Sequence, residues 1–183
     1  MISLDDQHRL LSLARRALEA RVRRGDPPDV DVHLDIQSGA FVTILHAGDL
    51  RGCLGRLDST LLLAPLVVEL AQAVADSDPR FDRVRPEELA DIAFEISVLT
   101  PAREVDSVEA IDVGRHGLIV EHGINRGLLL PQVATEHGWD RHTFLEHACL
   151  KAGLLPGAWK RGARVFVFEA EVFGERPTST VRS

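Results

Sequence analysis

A pair of short segments joined by a tight turn is the feature that most constrains the fold. Residues 41–46, Phe-Val-Thr-Ile-Leu-His, are rich in β-branched and apolar side chains, and Ala47-Gly48-Asp49 follows them directly. β-Branched residues favour strands, and a glycine-aspartate pair is typical of a hairpin turn. We therefore predict that the chain returns along residues 50–55 as the second strand of an antiparallel hairpin.

The rest of the chain mixes helical and strand periodicity. Apolar spacing predicts a first helix that is capped at Ser3 and ends near Gly25, and a second with Pro65 in its first turn. A third is predicted from the N-cap Asp140 to Gly153. Further extended segments are predicted at 32–36, 93–100, 117–122, 127–130 and 165–173. Hairpins with intervening helices indicate an α+β fold, with a mostly antiparallel sheet and flanking helices.

Composition bounds the class of protein. A chain of 183 residues with 45% hydrophobic content can form one domain, predicted here over residues 1–174 with a mobile tail at 175–183. The acidic start and the lack of a long apolar run predict a soluble, cytoplasmic protein with no membrane partner. A net charge of -7 with dispersed arginines argues against nucleic acid as a partner.

Cys53 is the first candidate for chemistry. It lies between Gly52 and Gly55 and near Arg51, where small residues let a ligand approach and a guanidinium favours the thiolate. Strand alternation predicts that Arg51 and Cys53 share one face while Leu50 and Leu54 share the other. The alternative is that Cys53 is a small apolar residue buried in a strand. Cys149, on the apolar side of its helix, is predicted to belong to the core, and both thiols are expected to be free.

Other polar residues allow two interpretations each. Glu95 is either a general base or a solvated carboxylate on the wet face of a strand. His116 is either an acid or base near neutral pH or a polar loop residue. Arg80, after Asp78-Pro79, either meets an anionic ligand or ends a helix with a local ion pair. The spacing of the histidines does not favour a metal site, and two separated cysteines predict no cluster or other cofactor.

Taken together, several segments resemble the AMMECR domain family in order and spacing. The resemblance covers nearly the whole chain. It rests on residues 50–55, Asp78-Pro79-Arg80-Phe81, residues 95–101, His116-Gly117-Leu118, residues 127–133, Trp139, Phe144-Leu145 and residues 149–154.

The resemblance implies an α+β fold in which a larger lobe embraces a smaller one, with the motifs in a cleft between them. Within that family, the chain resembles the A component of the AmmeMemoRadiSam grouping. This resemblance implies a Memo-like protein and a radical S-adenosylmethionine protein as partners. The implied site uses Cys53 as the thiol, Arg51 to stabilise its thiolate and Glu95 or His116 to move a proton. The ligand-binding residues of that site are Gly52, Gly55, Asp78, Arg80, Phe81 and Gln132. Two classes of function stay open: a thiol-bearing component of a modification pathway, or a noncatalytic module that recognises a partner or nucleotide.

Overall fold

The structure is a computed structural model that describes residues 1–175, and these residues form two compact units. One unit contains residues 1–98 together with residues 171–175, and the other contains residues 99–170. Each unit is built on its own four-stranded sheet. The α+β class and the antiparallel pairing predicted from the sequence are confirmed.

The first unit packs two helices on one face of a sheet. The helices are α1 (Leu4–Arg23) and α2 (Leu63–Val74), and the strands are β1 (Ala40–His46), β2 (Asp49–Arg56), β3 (Ile92–Leu99) and β8 (Ala170–Gly174). The strand order is β2-β1-β3-β8, so β2 is an edge strand. Ile44, Phe94 and Ile96 face the helices and are almost fully buried. Burial of this apolar face against α2 fixes the opposite face as the one that carries polar side chains.

Local sequence explains the ends of these elements. The Ser3 hydroxyl accepts the Asp6 N–H at 3.1 Å and so caps α1, and the helix ends at Arg24 in the left-handed conformation. Pro65 lies in the first turn of α2, as predicted. A 3₁₀ turn, Pro86–Asp91, leads into β3. Residues 25–39, which include the predicted extended stretch at 32–36, form no ladder.

The second unit packs two helices on the other sheet. Its strands are β4 (Arg103–Val105), β5 (Gly117–His122), β6 (Asn125–Leu129) and β7 (Arg164–Phe168), in the order β4-β7-β5-β6. Its helices are α3 (Pro131–Glu136) and α4 (Arg141–Lys151), and 3₁₀ turns lie at Val108–Ala110 and Ala158–Lys160. Cys149 is fully buried in this core, as predicted, and burial raises the pKa of its thiol. Both cysteines are free.

Several sequence predictions need correction. The final segment 165–173 is not one strand, because the chain leaves the second sheet at Phe168 and joins the first at Ala170. The period-two pattern continues through this crossing, so it carries no signal of the break. The short strand β4 and helix α3 were not predicted. Glu95 was expected on a wet strand face, but Ser97, two residues later on the same face of β3, is buried, with 4% of its surface exposed.

The predicted tail begins at Glu175, which lies within the described residues. Its N–H donates to the Phe94 carbonyl at 2.9 Å, and its carboxylate pairs with Arg15 at 2.6 Å. The rest of the predicted tail lies outside the described residues. Within the part of the chain that the structure describes, no helix has the length and apolar character needed to cross a membrane.

Candidate functional site

Cys53 lies on the outer face of the first sheet, on its edge strand. Thr43 of β1 is paired with Cys53 on one side and with Glu95 of β3 on the other. Residues paired across an antiparallel ladder point to the same face, so the three side chains form a row across three strands. The Thr43 hydroxyl donates to the Cys53 Sγ at 3.2 Å. Cys53 is half-buried.

A bulge in β2 decides which residues share that face. The ladder passes from the pair Leu45 and Leu50 to the pair Ile44 and Gly52, which leaves Arg51 as the extra residue. Leu50 therefore lies opposite Leu45 on the outer face, and 44% of its surface is exposed. The prediction that Leu50 shares a face with Leu54 is wrong, because simple alternation does not hold across a bulge.

Asp78 closes the open edge of the sheet at Cys53. Its carboxylate Oδ2 accepts the Cys53 N–H at 2.9 Å, and Oδ1 accepts the Arg80 N–H at 3.1 Å. The carboxylate is almost completely buried. An edge strand leaves backbone groups without a ladder partner, and this buried side chain supplies one. The loop after α2 thus fixes the backbone that carries the thiol.

Arg80 lies directly beside this backbone. Its Nε donates to Asp78 Oδ1 at 3.0 Å, its Nη2 donates to Oδ2 at 2.7 Å, and Nη2 also reaches the Cys53 carbonyl at 3.5 Å. These guanidinium bonds hold the pKa of Asp78 far below its usual range despite burial, and the same contact raises the pKa of Arg80. The Arg80 side chain remains 56% exposed. Asp78 and Arg80 together take the place of a neighbouring strand at Cys53.

Arg51 makes a different ion pair. Its Nε donates to Glu88 Oε1 at 2.8 Å and its Nη2 to Oε2 at 3.2 Å, and Nη2 also reaches the Arg83 carbonyl. These bonds from Arg51 lower the pKa of Glu88. The ring of Phe81 lies 6.0 Å from the Arg51 guanidinium carbon and 5.4 Å from that of Arg80. Phe81 is therefore flanked by two cations, each already paired with a carboxylate.

Packing accounts for both glycines beside the cysteine. A Cβ on Gly52 would lie 2.9 Å from Cγ2 of Val74, a residue of α2. A Cβ on Gly55 would lie 2.3 Å from Cδ1 of Phe41, whose ring covers the glycine. Only glycine permits these two approaches without a shift of the neighbours. A ligand role for Gly52 and Gly55 stays a prediction.

His116 belongs to the second unit, where it is buried. Its Nδ1 accepts the Asp112 N–H at 3.0 Å, which places the proton of the neutral ring on Nε2. Nε2 lies 3.9 Å from Glu169 Oε1, and Arg115 Nε donates to the same oxygen at 3.0 Å. Gln132 is the second residue of α3, and its carbonyl accepts the Thr135 hydroxyl.

Ten residues were predicted for the site, and eight of them, including Cys53, lie in the first unit. The other seven are Arg51, Gly52, Gly55, Asp78, Arg80, Phe81 and Glu95. His116 and Gln132 belong to the other unit, and their part in the site stays a prediction. Two residues of this cluster were not predicted, Thr43 and Glu88. In residues 1–175, no three histidine, cysteine or acidic side chains lie close enough together to hold a metal ion.

Comparisons with known proteins agree with this architecture. A protein of Thermofilum pendens is 43% identical to this chain over 195 residues, covering 95% of this chain and 92% of the relative. A protein of Methanothermobacter thermautotrophicus is 44% identical over 185 residues, covering 95% and 96%. The crystal structure of an uncharacterized protein from Pyrococcus horikoshii is similar, with a TM-score of 0.87 and 38% identity over 96% of this chain and 94% of that one. The AMMECR1 family profile matches residues 11–173, and the chain belongs to the AMMECR1 family.

Proposed function

We propose that this protein is the thiol-bearing component of a modification pathway, with Cys53 as its reactive group. The observation that carries the proposal is the contact between Thr43 and Cys53, because it places a hydroxyl donor 3.2 Å from the sulfur of a half-buried cysteine. A donor to sulfur stabilises the thiolate, which is the nucleophilic form of cysteine. The Asp78 carboxylate holds the Cys53 backbone in one position, and a fixed nucleophile needs less reorganisation to react.

The chemistry proposed is nucleophilic substitution at carbon, with the Cys53 sulfur as the nucleophile. The Cys53 thiolate attacks an electrophilic carbon, an S–C bond forms, and the leaving group departs with the electron pair of the broken bond. The thiol proton is transferred to a base before the attack. Glu95 lies on the same face as Cys53, two strands away, or roughly 10 Å between backbones, so it reaches that proton through the substrate or a water molecule.

The proposed setting follows from the resemblance stated above. The chain acts with a Memo-like protein, and a radical S-adenosylmethionine protein supplies any cluster or radical. Support for a thiol without a cluster of its own comes from the cysteines themselves, since Cys53 and Cys149 lie in different units.

A noncatalytic module is the second candidate, and the glycines and Arg51 favour it. Gly52 and Gly55 are explained by packing, and the Arg51 guanidinium is engaged by Glu88. In this function, the surface around Phe81 recognises a protein partner or a nucleotide, and Cys53 takes no part in a reaction.

Alkylation by iodoacetamide separates the two candidates. The rate at Cys53, mapped by peptide mass spectrometry at neutral pH, is expected to exceed that of N-acetylcysteine. Thr43→Val is expected to lower it about fivefold, because a hydrogen bond to a charged group is lost. Thr43→Ser keeps the hydroxyl and is expected to keep the rate. A rate no higher than that of N-acetylcysteine, unchanged in Thr43→Val, would exclude the thiol mechanism and leave the noncatalytic module.

The partners are tested separately. The chain is mixed with the Memo-like protein of the same cell and analysed by sedimentation velocity, with and without the radical S-adenosylmethionine protein. A complex that survives in Cys53→Ser supports the proposed assembly independently of the thiol. Sedimentation of every component at its own rate in all mixtures would contradict the proposed partnership.

A further inference from the structure

We infer that the substrate of Cys53 carries an oxyanion, a carboxylate or a phosphate, that binds Arg80 beside the thiol. This inference rests on the proposed function, since it names the class of substrate that the same site takes. The structural feature behind it is a guanidinium that is held in place from one side and exposed on the other.

The position of Arg80 is set by three of its donor contacts. Asp78 binds Nε and Nη2, and Nη2 also lies 3.5 Å from the Cys53 carbonyl. The ring of Phe81 lies 5.4 Å from the guanidinium carbon. Among the described residues no hydrogen bond or ion pair involves Nη1, and 56% of the side chain is exposed. A planar guanidinium with a fixed orientation and free N–H groups is well suited to bind carboxylate or phosphate oxygens.

Asp78 does not cancel this cation fully. Its carboxylate also accepts the backbone N–H groups of Cys53 and Arg80, so part of its charge is stabilised by backbone dipoles. The Asp78 side chain is almost completely buried, whereas 56% of the Arg80 side chain is exposed. An incoming anion therefore meets the guanidinium and not the carboxylate.

The other charges around the thiol make the site asymmetric. Arg51 is paired with Glu88 and is only 15% exposed, so it offers little to an incoming anion. Glu95 lies on the opposite side of Thr43 from Cys53. The cation at the sheet edge and the carboxylate inside the sheet orient an anionic substrate with its charged end toward Arg80.

Two alkylating agents that differ in one charge test the inference. Iodoacetate and iodoacetamide both react by attack of the thiolate on the CH₂ carbon, with formation of an S–C bond and loss of iodide with the electron pair. Their rate ratio at Cys53 is compared with the ratio for N-acetylcysteine. We expect the ratio of iodoacetate to iodoacetamide to be about fivefold higher at Cys53, as for a single favourable ion pair, and to fall as salt is added.

Matched variants assign the effect to Arg80. Arg80→Gln is expected to return the ratio to that of N-acetylcysteine, and Arg80→Lys to retain part of the preference. Arg56→Gln removes an exposed cation from β2, the strand that carries Cys53, and is expected to leave the ratio of the two rates unchanged. Circular dichroism checks the folding of Arg80→Gln, and the salt dependence of the wild-type ratio tests the inference without any variant.

The outcomes separate this inference from the proposed function. Failure of both reagents at Cys53 contradicts the proposed function and the inference together. Fast reaction with iodoacetamide but a ratio equal to that of N-acetylcysteine overturns the anionic substrate and leaves the reactive thiol. If inorganic phosphate, at constant ionic strength, slows iodoacetate but not iodoacetamide, the substrate class is phosphate-bearing. If the ratio of the iodoacetate rate to the iodoacetamide rate is raised at Cys53 and phosphate does not alter it, the substrate class is carboxylate-bearing.

Discussion

At the scale of single residues, Asp78 is the side chain on which the Cys53 site depends. It is buried, it accepts two backbone N–H groups, and it binds Arg80 through both carboxylate oxygens. Sequence reasoning predicted Asp78 as a helix stop or as part of a ligand loop. The structure adds a third role that the local sequence does not encode, because the N–H that it accepts belongs to a strand 25 residues earlier in the chain.

Asp78→Asn is expected to lower the free energy of unfolding by about 2 kcal/mol at neutral pH, since charged hydrogen bonds become neutral ones. The pKa of Asp78 is depressed in the folded state, so its stabilisation is complete above its unfolded pKa of about 3.9 and is lost as the pH falls through the folded pKa. Urea unfolding measures the difference between wild type and variant at neutral pH and at about pH 3. A difference that does not shrink in acid would contradict an ionised Asp78.

At the scale of elements, the β-bulge at Arg51 sets the chemistry of the edge strand. Counting back from the turn, a regular ladder would pair Cys53 with Val42, whose side chain is fully buried. The extra residue shifts the register by one, so Cys53 pairs with Thr43 and Gly52 turns toward α2. A shift of one residue exchanges the two faces of a strand. The bulge therefore decides that the thiol faces outward.

Gly55→Ala tests whether packing or ligand binding explains the second glycine. The added Cβ meets the Phe41 ring at 2.3 Å and the Ala40 carbonyl oxygen at 2.6 Å. Forcing a methyl group into this space is expected to destabilise the protein by about 2 kcal/mol. Gly25→Ala, whose Cβ has no contact closer than 3.9 Å, is the control. Thermal unfolding measures the change in stability of each variant. Equal melting temperatures for Gly55→Ala and wild type would contradict the packing explanation.

At the scale of the whole molecule, the chain leaves the first unit and returns to it. Residues 99–170 form the second unit, and β8 then completes the first sheet beside β3. The side chain of Phe173 is buried in the core of the first unit, and the Glu171 carboxylate accepts the Ile2 N–H at 3.0 Å. The first unit is thus closed by residues from both ends of the described chain.

Phe173→Ala is expected to lower the free energy of unfolding by about 3 kcal/mol, because a buried aromatic ring is replaced by a cavity. Val172→Ala, at a neighbouring position that is 49% exposed, is the control and should change little. Both tryptophans, Trp139 and Trp159, lie in the second unit, so their fluorescence follows that unit while circular dichroism follows both. The single-domain prediction requires the two probes to report the same lowered midpoint in urea. Separate midpoints would show that the units unfold independently.

The elements whose signals are local were predictable. The Ser3 cap, the Gly48 turn, Pro65 in the first turn of α2 and the Asp140 cap all act within a few residues, and each is found where the sequence places it. The split of the last strand was not predictable, because alternation continues across Glu169 while the pairing partner changes. Helix α3 has only six residues, too few for a periodic pattern.

By itself, the sequence determined the α+β class, the hairpin that carries Cys53 and the segments that resemble the AMMECR domain family. Propensity, capping and turn chemistry depend on neighbours in the chain, and those neighbours are visible in the sequence. Tertiary structure alone decided that Thr43 donates to Cys53, that Arg80 and not Arg51 lies beside the Cys53 backbone, and that Asp78 closes the sheet edge. These contacts depend on a one-residue bulge and on a loop folding back across the edge strand. Both are set by burial of the apolar face against α2, which no local pattern records.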